Sequence, residues 1–142
     1  MTEIKGGHTV QSFDQDLKRL TAVLLEMGEL AVRQLRDATR ALLERDDELA
    51  REVIAREKDL NEFDTRGEEE AIYLLAKRQP MGVDLRTIVV ILKSFTELER
   101  VGDESKKVAK IARRMILDEA DPVEAYRNSF TRMVQAAGNS LE

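Results

Sequence analysis

Residues 17–42 read LKRLTAVLLEMGELAVRQLRDATRAL. In this stretch Leu17, Leu20, Leu24, Met27, Ala31, Leu35, Ala38 and Leu42 recur at steps of three and four residues. Held over that length, the spacing is the period of a helix with one apolar stripe, not the alternation of a strand. It sets the class as all-α. Upstream, Ser12 followed three residues later by Gln15 reads as a capping box and places the helix start between Thr9 and Ser12. Downstream, Asp46 and Asp47 interrupt the stripe and can cap a second helix.

The second helix carries Leu49, Val53, Leu60, Ala71, Ile72 and Leu75 on its stripe. That stripe passes through Glu57, Asp64 and Gly67, where apolar side chains are expected; such breaks mark function or strain. Arg78-Gln79-Pro80 stops the helix, because proline disfavours helical geometry in the residue before it. A third helix opens near Asp84 with Leu85, Ile88, Leu92 and Phe95, runs through Glu99 and Gly102, and continues with Ser105, Ala109, Ala112 and Met115 or Ile116. A mid-helix glycine costs about 1 kcal/mol relative to alanine, so Gly102 implies that another group approaches closely there. A fourth helix is predicted from Asp121 as cap, Pro122 at the first helical position and Glu124 reaching back. Tyr126, Phe130, Met133, Ala137 and Leu141 form its stripe, which is still running when the chain ends at Glu142. Three helices of about 30 residues, each about 45 Å long, make an elongated up-down-up three-helix bundle. The fourth helix is left to dock on the bundle end or on a neighbouring molecule.

Composition narrows the chemistry. Of the 142 residues 36% are charged and 4% aromatic, with two prolines and no tryptophan, as in long helices. The length suits one domain with its own core. A net charge of −5 argues against nucleic-acid binding, which needs a basic face. With no cysteine there are no disulfides, thiolate metal sites or thiol nucleophiles. The single histidine, His8, rules out Glu-x-x-His di-iron sites and leaves a carboxylate-bridged di-iron enzyme weakly supported; the protein reads as a non-enzyme. The longest apolar run, Ile88 to Leu92, is far too short to span a bilayer.

One constellation carries chemistry. Glu57 and Asn61 share a helix face at i, i+4, and so do Glu99 and Asp103. Folding the chain antiparallel about Pro80 sets Glu57 opposite Asp103 and Asn61 opposite Glu99. Three carboxylates and an amide then converge at one level, a donor set for a hard or borderline cation. Against this stands ion pairing: Arg100 or Lys106 can neutralise the carboxylates, at most about 1 kcal/mol for each surface pair. Lys106, Lys107, Lys110, Arg113 and Arg114 form a basic stretch that complements the C-terminal dipole of the third helix; docking to an acidic partner is the other reading. Arg78 and Arg86 flank the turn and tie it together through hydrogen bonds; no glycine-rich phosphate cradle accompanies them.

These residues resemble the PhoU family of phosphate-signalling regulators. The likeness lies in Ala41-Leu42-Leu43-Glu44-Arg45-Asp46, in Ala76-Lys77-Arg78-Gln79-Pro80 followed by Asp84-Leu85-Arg86, and above all in Glu97-Leu98-Glu99-Arg100-Val101-Gly102-Asp103. The resemblance implies a PhoU-like three-helix repeat over residues 1–119 and, over 120–142, the first helix of an incomplete second repeat. It implies a cytoplasmic adaptor of phosphate homeostasis that links a phosphate ABC transporter ATPase to a sensor histidine kinase and represses starvation genes. It reaches the membrane only through those partners and forms a homo-oligomer. It also implies divalent or multinuclear metal (Fe, Zn, Mn or Mg) at Glu57, Asn61, Glu99 and Asp103, with Asn61 standing where family motifs are acidic. A purely structural helix-bundle oligomerisation module is the alternative.

Overall fold

A computed structural model describes residues 4–118 and 124–141, with the side chains of residues 10–118, 127, 128 and 130–141. Helix α1 covers Ile4–Glu44, α2 Asp47–Arg78, α3 Val83–Leu117 and α4 Glu124–Leu141. The first three pack on one another pairwise, up-down-up, and among the described residues α4 packs on α1. The all-α bundle expected from the stripe in α1 is the fold observed.

The connections are short and chemically specified. Arg45 adopts a left-handed backbone (φ 59°) to end α1. The Asp46 carboxylate then accepts a hydrogen bond from the Leu49 N–H at 3.0 Å, capping α2. At the far end Gln79 turns left-handed and its N–H donates to the Leu75 carbonyl, one residue before Pro80. Gly82, with φ 61°, takes the conformation from which α3 departs.

The expected start of α1 at Ser12 does not hold: the helix already runs from Ile4, and Ser12 lies inside it. A capping-box pattern has the same letters inside a helix as at its start, and the turn that follows Ser12 is held on the bundle by Phe13 in the core and by Asp16 paired with Arg78 of α2. The proposed cap at Asp121 and Pro122 lies outside the described residues.

Two clusters fill the interior. Phe13, Leu20, Met27, Leu60, Leu74, Ile88 and Phe95 belong to a bulky one towards the α2–α3 turn. Ala38, Ala41, Leu49, Ala50, Val53, Ala109 and Ala112 form a small-residue one towards the α1–α2 turn. Fully buried Gln34 of α1 donates from Nε2 to the Val53 carbonyl of α2 at 2.8 Å. At the α1–α2 turn, Arg113 of α3 reaches Asp47 at 2.8 Å.

Two stripe positions of α2 and α3 differ from expectation. Ile72 and Leu85 are exposed, while Leu74 and Ile91 occupy the core. Each residue turns a helix by about 100°, so once Ala71 and Leu74 point inward Ile72 cannot. In α4 the expected stripe faces outward: Met133, Ala137 and Leu141 are exposed, and Gly138 is buried where α4 lies on α1. Tyr126 has no described side chain. Among the described residues no helix is long and apolar enough to cross a membrane.

Candidate functional site

The α2–α3 hairpin is held in register by two glycines. A Cβ on Gly102 of α3 would lie 2.4 Å from Leu60 Cδ1 of α2, and one on Gly67 of α2 would lie 2.4 Å from the Phe95 ring of α3. Seven residues along α2 from Leu60 to Gly67 thus match seven back along α3 from Gly102 to Phe95. Gly102 is the close approach its sequence position implied, and the break at Gly67 is a packing feature, not a functional one. This pairing sets the level at which Glu57, Asn61 and Asp64 of α2 meet Glu99 and Asp103 of α3.

Asn61 Nδ2 donates to Glu57 Oε1 at 3.1 Å. Lys106 of α3 donates from Nζ to Glu57 Oε2 at 3.0 Å. The Lys106 hydrogen bond holds the Glu57 carboxyl below its ordinary range against the opposing effect of burial; Asn61 and Asp103 add hydrogen bonding in the same direction. Glu57 thus lies close enough to Asp103 across the hairpin for the two carboxyls to influence one another.

Glu99 behaves in the opposite way. Burial pushes its carboxyl above the usual range, and the charge and hydrogen bonding of Asp103 push further, followed by the charges of Asp64 and Glu57. Asp64 is itself raised, by burial and then by Glu68. One wall of the site is thus Glu57 paired with Lys106, and the other is a crowd of carboxylates, Asp64, Glu99 and Asp103, of which Asp103 also feels the charge of Lys107. Asp64 belongs to this crowd although it was read only as a break in a stripe; its place three residues after Asn61, on the same helix face, was the available signal.

Of the four expected residues, Asn61 bonds Glu57, and Asp103 acts on both Glu57 and Glu99. Among the described residues no three His, Cys, Asp or Glu side chains stand close enough to hold a metal ion. Carboxylate and amide oxygens are donor types a divalent cation accepts, but the side chains are not placed to hold one, and Lys106 pairs with Glu57.

The basic stretch resolves into separate pairs. Lys107 bonds Glu104 at 2.6 Å and Arg113 bonds Asp47 at 2.8 Å, while Arg100 turns to Glu97 at 3.2 Å. Of the two cations proposed to neutralise the site, Lys106 does so and Arg100 does not. Arg78 ties α2 to Asp16 of α1 at 3.1 Å, and Arg86 is exposed. Burial opposes ionisation of Asp16, but hydrogen bonds from Arg78 and Arg19 outweigh it and hold the carboxyl below its ordinary range. A cleft of about 690 Å³ between α1 and α2, lined by Glu26, Glu29, Arg33, Phe63 and Arg66 among others, shares no residue with the carboxylate site.

Comparison with known proteins matches the geometry. The family model described as PhoU domain matches residues 24–112. The phosphate-specific transport system accessory protein PhoU homolog of Caulobacter vibrioides (strain NA1000 / CB15N) is 43% identical over 126 residues, covering 89% of this chain and 54% of that protein. The phosphate-specific transport system accessory protein PhoU of Escherichia coli (strain K12) is 33% identical over 125 residues, covering 88% and 52%. The crystal structure of PhoU from Pseudomonas aeruginosa superposes with a TM-score of 0.86 at 32% identity, covering 91% of this chain and 61% of that one. The chain spans about half the length of the curated relatives it matches. With the family motif seated on a hairpin of this shape and the match running through three helices, the chain belongs to the PhoU domain family.

Proposed function

We propose that this chain acts in phosphate homeostasis as a regulatory, non-catalytic adaptor, cytoplasmic, linking a phosphate ABC transporter ATPase to a sensor histidine kinase and restraining the starvation response. The observation that carries this reading is the likeness, over nearly nine-tenths of the chain, to proteins named as accessory to a phosphate-specific transport system. The three-helix body supports it, offering long polar faces. Residues 1–119 form one repeat in this reading and 120–142 open a second. Pull-down of the purified chain with the transporter ATPase and with the kinase tests it. Binding to neither sinks the adaptor reading and leaves a structural oligomerisation module, whose self-association light scattering measures.

The same reading includes a weak divalent-metal site, for Fe, Zn, Mn or Mg, in which Glu57, Asn61, Glu99 and Asp103 would supply the oxygens. The support is the negative charge gathered on Glu99 by Asp103, Asp64 and Glu57, which a bound cation would offset. Asn61 adds a neutral oxygen, so affinity is lower than for four carboxylates. Calorimetric titration should show uptake that Glu99→Ala with Asp103→Ala abolishes; no uptake at millimolar metal ends the idea.

A further inference from the structure

We infer that the α2–α3 turn end of the bundle seats directly on an anionic lipid surface, with Met81 and Val83 leading into the headgroup layer. This goes beyond the adaptor reading, in which the membrane is reached only through protein partners. Among the described residues, large apolar side chains are exposed at thirteen positions, and seven of these fall between Ile72 and Val90, around the turn. Met81, in the turn itself, is the most exposed of all at 83%. A concentration of this kind marks an interaction surface. It is not confined to one face. Ile72 and Tyr73 are neighbours on α2, and Val89 and Val90 on α3, so the members of each pair point about 100° apart. A flat protein partner covers one side of a hairpin, whereas a headgroup layer surrounds it. α4 packs on α1 and on neither α2 nor α3 among the described residues, so it leaves this end uncovered.

Charge selects the kind of lipid. From Ile72 to Lys93 the chain carries Lys77, Arg78, Arg86 and Lys93 against Asp84 alone, a net charge of +3. The whole chain carries −5, so the remaining residues carry −8. Charge divided in this way turns the hairpin end towards a negative surface and holds the acidic remainder away from it. Arg78 is engaged by Asp16 of α1, while Lys77, Arg86 and Lys93 are exposed. Lys77 Nζ lies 5.0 Å from the centre of the Tyr73 ring, an aromatic body with a cationic head that suits a membrane–water boundary. No described helix is long and apolar enough to cross a bilayer, so the contact is a seat in the interface.

The chain contains no tryptophan, so a single introduced one is its only indole. Val83→Trp and Leu117→Trp make a matched pair, since both positions are 77% exposed and stand at opposite ends of α3. With vesicles of phosphatidylcholine and phosphatidylglycerol, Val83→Trp emission should shift to the blue and Leu117→Trp emission should not. The unmodified chain should co-sediment with these vesicles and not with phosphatidylcholine alone. Arg86→Glu with Lys93→Glu should weaken co-sedimentation about ten-fold or more, because each basic residue near such a surface strengthens binding roughly five-fold. Met81→Asp should also weaken it, with the helices intact by circular dichroism because the site is exposed. Binding to neither vesicle, equal binding to both, or a blue shift at Leu117 and not at Val83 overturns the lipid seat. The adaptor reading survives each of these, because the vesicles hold no protein partner. A dimer in light scattering that Met81→Asp dissolves, without vesicle binding, assigns this end to a second copy and refutes the proposal.

Discussion

The ring of Phe95 occupies the volume that a side chain on Gly67 would need: three ring carbons lie 2.4 to 2.6 Å from the Cβ position. Phe95 is almost fully buried, so the ring has nowhere to withdraw. Alanine is the better helix former by about 1 kcal/mol, but overpacking costs about 1–3 kcal/mol. Gly67→Ala should therefore destabilise the protein in chemical denaturation. Gly102→Ala should lose less, because its close neighbour is one terminal methyl of Leu60 and not a rigid ring. Equal losses, or a gain at Gly67, would contradict this packing.

Asp16 and Arg78 fasten the end of α2 to α1. Arg78→Ala should cost about 1–3 kcal/mol at neutral pH, the range for hydrogen bonds to charged groups. The pH dependence has a definite sign. Asp16 has a lowered native pKa, so between that value and the ordinary 3.8 the unfolded chain binds more protons. The contribution of Asp16 is thus complete above the ordinary value and disappears as pH falls through the native one. Thermal melts should show the gap between wild type and Asp16→Asn narrowing as the pH is lowered through that window; a gap constant with pH would show that ionisation plays no part.

Asp46 caps α2 with a single bond to Leu49 N–H. Asp46→Ala should lose about 1 kcal/mol, and Asp46→Ser or Asp46→Asn should restore most of it. Urea denaturation of the three variants decides the matter; an alanine variant as stable as the parent would mean the turn is held by packing alone.

Glu99 is crowded by carboxylates. In metal-free buffer Glu99→Gln should stabilise the fold by about 0.5 kcal/mol, the scale of a like-charge pair one helical turn apart. Calorimetric melting with a chelator present is the measurement. A loss on substitution would show that Glu99 makes a favourable contact the repulsion conceals.

The helical class and the three-helix order were legible in the sequence because each depends on short-range pattern. Apolar steps of three and four report one face, and Asp46 and Pro80 mark chain reversals. The register was not: the glycine seats pair Leu60 with Gly102 and Gly67 with Phe95, two residues away from a mirror about Pro80, because side-chain packing and not the turn sets it. Ser12 misled because a capping motif has the same letters inside a helix as at its start. The α4 stripe misled because the less exposed positions of α4 include Thr131, Val134 and Gly138, mostly small or polar, which no hydrophobic count records. At the site, residue types gave the donors but not their partners. Choosing Lys106 over Arg100 as the counter-ion depends on side-chain reach across two helices.

The two glycine seats also restrict how this hairpin can move. Sliding α2 along α3 by one helical turn, about 5.4 Å, would bring Asp64 or Ala71 under the Phe95 ring in place of Gly67, and neither leaves room for it. Piston-like travel between α2 and α3 is therefore closed to this hairpin. Any change felt at Glu57 and Glu99 has to pass along the body as side-chain reorientation, or by the α2–α3 pair shifting as a unit against α1.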